Sequence, residues 1–417
     1  MLPTEIIDMI IDHLYEDRST LMQCALVSYT WSVSARFHLF QAIVVTLPDA
    51  DKAADDGLDS VLHSFRSPMG SQCTSYVRKL TIQPRAAIGY WNGRTEPSLE
   101  LGVLGQLLNL LSRLETLSIM DVSWAALPDV LPVSSTSSSV RSLSVRRIVS
   151  PIDPKISEQP YKTIRDGLDI LKLLPALKLL RTTASPWGPS GLRQQASTAE
   201  TPFPNDLRLE ALGLWTEGPA CVFIEYALPR LNLSCLTSLS IWWFYVEDIP
   251  AIGRLIKATA HSLKRLELRL NNMIILDLEG EPEPEDLSPQ LNLDQCSQLE
   301  SLSLFVPVDL HTTVDCIPHW DFANAVLANL PLCVREISLG LDNHPHVDDQ
   351  LDELDEVEWE DQIRAFQRLP ALETVTFSGG SRGSSALYPL DPQVEELISM
   401  YLAVLLPRGI IRFYPKG

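Results

Sequence analysis

The sequence predicts a mixed α/β protein: a short N-terminal group of three helices, then a long array in which strand and helix alternate. Three observations carry this. A six-residue apolar pattern returns ten times from Val77 onward, helix-like stretches lie between its occurrences, and the first forty residues show helical spacing instead. With 417 residues, 45% of them hydrophobic, burial can offset chain entropy along most of the length.

The opening segment reads as helices. Ile6, Ile10 and Leu14 repeat at i, i+4 and i+8, and Ile7 and Ile11 widen the same stripe. Pro3 and Thr4 suit a helix start. Asp17 or Ser19 can cap a second helix carrying Leu21, Cys24 and Ala25. Ser28 can cap a third, in which Trp31, Ala35 and Leu39 share a face. Three helices in about forty residues make a core too small to stand comfortably alone, so the unit needs a partner surface.

The array follows. Its pattern, apolar-x-x-apolar-x-apolar, starts at Val77, Leu114, Val140, Leu177, Leu209, Leu236, Leu263, Leu299, Val334 and Leu372. The copy at Leu177 is degenerate and ends in Thr182. The last three apolar positions alternate with polar ones, as in a strand with one buried face. Helical spacing appears over Leu99–Leu111, Ile164–Leu174, Ile249–Ala260, Phe322–Leu330, Gln362–Leu369 and Val394–Leu406, several of these ending at Pro or Gly. One strand and one helix per unit of 26 to 38 residues is the signature of a repeat solenoid, in which stacked neighbours bury what one unit cannot. The expected result is a single strand layer with Leu117, Leu143, Leu212, Leu239, Leu266 and Leu302 all buried. Loop composition marks Ser134–Ser139, Trp187–Asp206, Glu281–Asp286 and His344–Asp361.

From Tyr76 to Pro415 the chain resembles the leucine-rich-repeat family. Only Leu263–Asn271 (LKRLELRLN) shows the full L-x-x-L-x-L-x-x-N form; elsewhere the Asn that would bond backbone between turns is missing. This predicts an irregular arc with variable loops. The opening segment resembles the F-box, through Leu2-Pro3, Glu5-Ile6, Ile10, Leu14, Leu21, Cys24, Val27-Ser28 and Trp31. The stretch CALVSYTWSVSARFHLF is most similar to F-boxes abundant in basidiomycete fungi. The resemblance implies an F-box domain over residues 1–45 and a leucine-rich-repeat-like solenoid over 46–417. It further implies that Leu2, Pro3, Ile6, Ile10, Leu14, Leu21, Cys24, Val27 and Trp31 dock on the Skp-type adaptor of a cullin-RING ubiquitin ligase. The repeats would then bind a target protein, with the chain non-catalytic and acting in cytoplasm or nucleus. The plainer alternative is that the helices cap a leucine-rich-repeat scaffold working outside any ligase.

Net charge is −20, and residues 271–361 hold 22 Asp and Glu against one Arg. That placement disfavours nucleic acid, which needs a basic stripe, and points to a basic target. Asp348, Asp349, Asp352, Glu353, Asp355 and Glu356 are the candidate contacts, with Trp243 and Tyr245 of the aromatic run Trp242–Tyr245. Four aromatics in a row cannot all face one side of a strand. Asp8 and Asp12 interrupt the N-terminal apolar run, so no secretory leader is expected, and no stretch is long and apolar enough for a membrane span. Seven scattered cysteines without a C-x-x-C pair predict a reducing compartment. His344, His346, Asp348 and Asp349 have ligand chemistry, but Pro345 and the surrounding acid favour a solvated loop; Cys316 and His319 lack a second pair. Ser378–Ser385 is Gly-rich without the Lys-Ser/Thr of a P-loop. No nucleophile–base set can be assembled, so neither an enzyme nor a cofactor is expected.

Overall fold

The computed structural model describes residues 3–48, 57–84, 98–125, 139–148, 170–184, 207–216, 223–225, 231–244, 248–270, 284–306, 319–342, 351, 354–355, 357–380 and 387–415. The architecture is mixed α/β with strands that are nearly all parallel, divided into two units, Met1–Leu207 and Arg208–Gly417.

The first unit opens with α1 (Thr4–His13), α2 (Arg18–Val27) and α3 (Tyr29–Gln41). Asp17 caps α2 by accepting from Thr20 N, and Ser28 caps α3 by accepting from Trp31 N, so both caps fall where the sequence places them. The chain leaves α3 directly into β1 (Ala42–Leu47), and α4 (Leu58–Arg66) and α5 (Pro68–Cys73) follow. Then come β2 (Lys79–Pro84), β3 (Ser98–Glu100), α6 (Leu101–Leu110), β4 (Thr116–Ala125), β5 (Ser142–Ile148) and β6 (Leu179–Ala184). Strands β1, β2, β4, β5 and β6 lie side by side and parallel, while β3 pairs the end of β4. The stretch expected as a helix from Leu99 begins as strand β3. Of the helix expected over Ile164–Leu174, the described part is a 3-10 turn, Ile170–Leu173.

The second unit runs β7 (Ala211–Thr216), β8 (Ser238–Phe244), α7 (Ile249–Thr259), β9 (Arg265–Leu270), α8 (Pro284–Leu287), β10 (Ser301–Val306), α9 (His319–Ala328) and β11 (Glu336–Asp342). It closes with α10 (Trp359–Arg368), β12 (Thr374–Gly380), β13 (Leu387–Tyr388), α11 (Pro392–Tyr401) and β14 (Ile411–Phe413). Strands β7 to β12 pair parallel in chain order; β12 also pairs antiparallel with β13 and parallel with β14.

Register aligns the repeated apolar positions into columns. Leu80, Leu117, Leu143 and Leu180 stand abreast in the first unit. Leu212, Leu239, Leu266, Leu302, Ile337, Val375 and Ile411 do so in the second. The six leucines expected to be buried are at most 4% exposed. The first apolar position of all ten copies, Val77 to Leu372, is also buried. Because side chains alternate along a strand, one buried column fixes the register of the whole layer.

Among the described residues a backbone device repeats at eight strand entrances. The carbonyl of the residue after the first apolar position accepts two successive N–H groups from the next copy. Arg78 O receives Glu115 N and Thr116 N, Lys264 O receives Glu300 N and Ser301 N, and Arg335 O receives Glu373 N and Thr374 N, at 2.8–3.1 Å. Both lone pairs are thereby used. The same position often carries opposite charge in neighbouring copies, and Arg78–Glu115 (3.0 Å), Lys264–Glu300 (3.2 Å) and Arg335–Glu373 (3.6 Å) pair across it. A second device does the work expected of the missing Asn. Just before a copy, Ser139 Oγ, Ser262 Oγ and Cys333 Sγ donate to the carbonyls of Leu114, Leu236 and Leu299 in the preceding copy, at 2.8, 2.8 and 3.3 Å. Asn271 itself lies outside the described residues.

The helices of the second unit also stack in series: α7 packs on the 3-10 turn Ser288–Leu291, that turn on α9, and α9 on α10. The approach at Gly253 is so close that a Cβ there would stand 1.7 Å from Gln290 O. Asn292, in the left-handed region at φ 56°, donates its Nδ2 to Gly253 O and Gln290 O.

Candidate functional site

The three N-terminal helices enclose a core of Ile7, Ile11, Leu21, Cys24 and Ala35, with Leu14, Ala25, Trp31 and Leu39 packed against it. This corrects the expected stripe. Ile7 and Ile11 are buried, whereas Ile6 and Ile10 are 42% and 38% exposed. Two of the sequence-derived docking residues, Leu21 and Cys24, belong to the core and face no outside partner. Leu14 and Trp31 are half-buried against it. Pro3 and Val27 are exposed, and Leu2 lies outside the described residues.

The core consumes only part of the apolar side chains these helices carry. Of 16 large hydrophobic residues exposed among the described residues, nine lie between Ile6 and Val33. Among the described residues that concentration makes α1–α3 the most apolar surface, because a scatter would place far fewer there. On α1, Ile6, Met9 and Ile10 share a face; on α2, Met22 and Leu26; on α3, Tyr29 and Val33. Leu26 and Tyr29 are the most open, at 88% and 84%. The sequence reading missed Met9, Met22, Leu26, Tyr29 and Val33. The signal was available in α2, where Leu21, Met22, Cys24, Ala25, Leu26 and Val27 are more apolar residues than one buried face can use.

Polar groups tie α1 to α3. Ser34 Oγ donates to Asp8 Oδ1, and His38 Nε2 lies 2.8 Å from Asp12 Oδ1.

A second candidate surface lies on the open face of the second unit's sheet. Register sets Trp215, Trp242, Arg269 and Phe305 abreast on β7 to β10. Trp215 and Trp242 stand 4.7 Å apart, and the Arg269 guanidinium sits 3.8 Å from the ring centres of both Trp242 and Phe305. Such cation–π stacking is strongest where water is excluded, and Arg269 is only 7% exposed. Its charge is answered by Glu267, whose Oε1 accepts from Arg269 Nε at 2.9 Å while Oε2 accepts from Ser240 Oγ at 2.8 Å. A buried charge needs such pairing. The sequence reading chose Trp243 and Tyr245; the row instead holds Trp242. Plain alternation from the buried Leu239 and Ile241 puts Trp242 outward, and the register shift of this strand comes only after it, between Trp242 and Phe244. The side chain of Trp243 and all of Tyr245 lie outside the described residues.

Of the acidic candidates, Asp355 alone is described. It accepts from Tyr401 OH at 2.8 Å, and its neighbours Leu354 and Val357 are buried, so it is pinned to the fold rather than free in a loop. Trp359 stacks on Tyr401 with ring centres 5.5 Å apart and donates Nε1 to Leu354 O. Asp348, Asp349, Asp352, Glu353 and Glu356 lie outside the described residues, as do His344, His346 and Cys316.

Among the described residues no group of three or more His, Cys, Asp or Glu is placed to hold a metal ion, and no helix is long and apolar enough to cross a membrane. A cleft in the second unit, walled by Leu212, Leu214, Phe223, Ile224, Leu231, Leu233 and Leu255, offers only apolar contact. Burial, with Asp294 and Cys333 nearby, pushes the Cys296 thiol up to about 12. A thiol held protonated in that way is a poor nucleophile. A scan against protein-family models gives no match, and a search of curated proteins gives none.

Proposed function

We propose that the chain is the substrate-recognition subunit of a Skp-cullin-F-box ubiquitin ligase, with α1–α3 as the F-box and the strand–helix array as an irregular leucine-rich-repeat solenoid. The observation that carries this is the excess of exposed apolar side chains on α1–α3, on helices whose sequence follows the F-box pattern. Clustered exposed apolar side chains of this kind mark a surface for another protein. The helices would dock on the Skp-type adaptor in cytoplasm or nucleus, and the repeats would hold a target without doing chemistry on it. The acidic segment 271–361 favours a basic target.

Co-purification with the adaptor tests the reading. Ile6→Ser with Ile10→Ser, and separately Leu26→Ser with Tyr29→Ser, should each reduce adaptor capture while leaving the sheet folded, since none of these residues is core. Undiminished capture by both variants would remove the basis for the proposal. Loss of target, but not of adaptor, between 0.1 M and 1 M salt would support a basic target, because the Debye length falls from about 10 Å to about 3 Å.

One observation favours a second reading. Helix α3 passes into β1 with no linker, Gln41 being followed at once by the first strand residue Ala42. The helices would then cap a leucine-rich-repeat scaffold, and the same variants would alter stability but capture nothing differently.

A further inference from the structure

We infer that Asp8 and Asp12 of α1, with Ser34 and His38 of α3, form a two-rung clip that fixes the rotation of α1 and so decides which isoleucines face outward. The functional consequence rests on the proposed docking role of α1; the geometry does not.

Helix α1 carries two apolar stripes of almost equal strength, Ile6 with Ile10 and Ile7 with Ile11, displaced by one residue and hence by about 100° around the axis. Burying either pair gains nearly the same area, so hydrophobic packing does not choose between them. A ten-residue helix is too short to hold itself, and the N-cap residue Pro3 gives it no side-chain cap. Its seat therefore depends on its contacts with α3.

The clip breaks the tie. Its rungs are spaced four residues apart on both helices, Asp8 to Ser34 and Asp12 to His38, one turn each. Among the described residues these are the side-chain hydrogen bonds that join α1 to another element. Rotating α1 by one residue withdraws both carboxylates at once. The His38 ring also stands edge-on to Phe37, with ring centres 5.2 Å apart, and its side chain is 12% exposed. The result is one rotation, with Ile7 and Ile11 inward and Ile6, Met9 and Ile10 outward. Polar groups that specify register at an otherwise ambiguous apolar seam have this role in coiled coils.

The test reads rotation directly in the full chain. Single cysteines are placed at Ile7 and at Ile10, and their alkylation rates are compared by peptide mass spectrometry. With the clip intact, position 10 should react far faster than position 7. In the Asp8→Ala/Asp12→Ala background the ratio should fall about tenfold or more, the factor expected for a charge-assisted hydrogen bond. Ser34→Asp, which sets a carboxylate against Asp8, should act in the same direction. Asp12→Asn, which keeps an acceptor for His38, should retain most of the ratio. An unchanged ratio in both the double-alanine and the Ser34→Asp proteins would overturn the inference. Adaptor capture is measured alongside. If the wild-type chain captures no adaptor, the ligase reading fails while the labelling ratios still decide the clip.

Discussion

Gly340→Ala should destabilise the second unit through a single side chain, Phe305. A Cβ at position 340 would stand 2.2 Å from Phe305 Cδ1 and 2.3 Å from Cε1. Carbon atoms in contact sit about 3.5 Å apart, so the ring must retreat by over about 1 Å. It cannot retreat freely, because Arg269 is stacked 3.8 Å from its centre and is itself stacked 3.8 Å from Trp242. Overpacking of this kind costs about 1–3 kcal/mol, and disturbing a desolvated cation–π pair costs about 1–2 kcal/mol more. Against this stands about 0.5–1 kcal/mol gained by replacing glycine in a strand. The net loss should be about 2 kcal/mol, read as a fall in the urea midpoint at constant m, followed by tryptophan fluorescence. In a Phe305→Ala background the clash has no partner, and Gly340→Ala should then be neutral or stabilising. The coupling energy of the cycle should be about 2–3 kcal/mol. If Gly340→Ala costs the same with and without the Phe305 ring, the stacked row is not what constrains position 340 and the reasoning fails.

Three further outcomes are expected. Gly253→Ala should destabilise by more than about 3 kcal/mol, since its Cβ would lie 1.7 Å from a backbone oxygen, Gln290 O, that no side-chain rotation can move; a urea midpoint within error of wild type would refute it. Cys296, fully buried with its thiol pushed up to about 12, should stay unlabelled by a maleimide at pH 8 in the native protein and become labelled only on unfolding, as peptide mass spectrometry would show. Tyr401 should titrate above the ordinary tyrosine value of 10.0, because its hydrogen bond to Asp355 favours the protonated phenol. The contact is thus present below pH 10 and lost as pH rises through the raised value, and ultraviolet difference titration of wild type against Tyr401→Phe measures it.

The strands were legible because an inward position repeats in kind. Each copy meets the same neighbour, so Leu117, Leu143 and their counterparts had to be apolar at fixed spacing. Besides the short β3 and β13, two strands escaped, for opposite reasons. The first, β1, has the repeated form, Phe40-x-x-Ile43-x-Val45, in register with Leu80 and Ile82, but its first position falls inside helix α3, where helical spacing masks it. The last, β14, sets Ile411 and Phe413 beside Val375 and Phe377, but Arg408 stands where the first apolar residue would be. At α1 the sequence offered two equal stripes, and the choice was made by Asp8 and Asp12, polar residues that a search for apolar periodicity passes over.

Outward positions obey a different logic. The central outward column reads Thr81, Ser118, Ser144 and Arg181 in the first unit, then Gly213, Ser240, Glu267, Ser303, Ser338 and Thr376 in the second. A small hydroxyl suits a half-exposed strand position, bonding water or a neighbour without bulk. Arg181, Gly213 and Glu267 depart from that rule. Glu267 does so where Arg269, two residues on along the same face, needs a carboxylate once Trp242 and Phe305 close over it. That one departure answers the stack in the next column. Reading the ten segments one beneath another, to the right of their last apolar position, would have exposed Trp215, Trp242, Arg269 and Phe305 as a single row. Their separation along the chain, from position 215 to position 305, hides it from any search that moves residue by residue. A row assembled only by register is a property of the sheet, and among the described residues it is there that the second unit carries its distinctive surface.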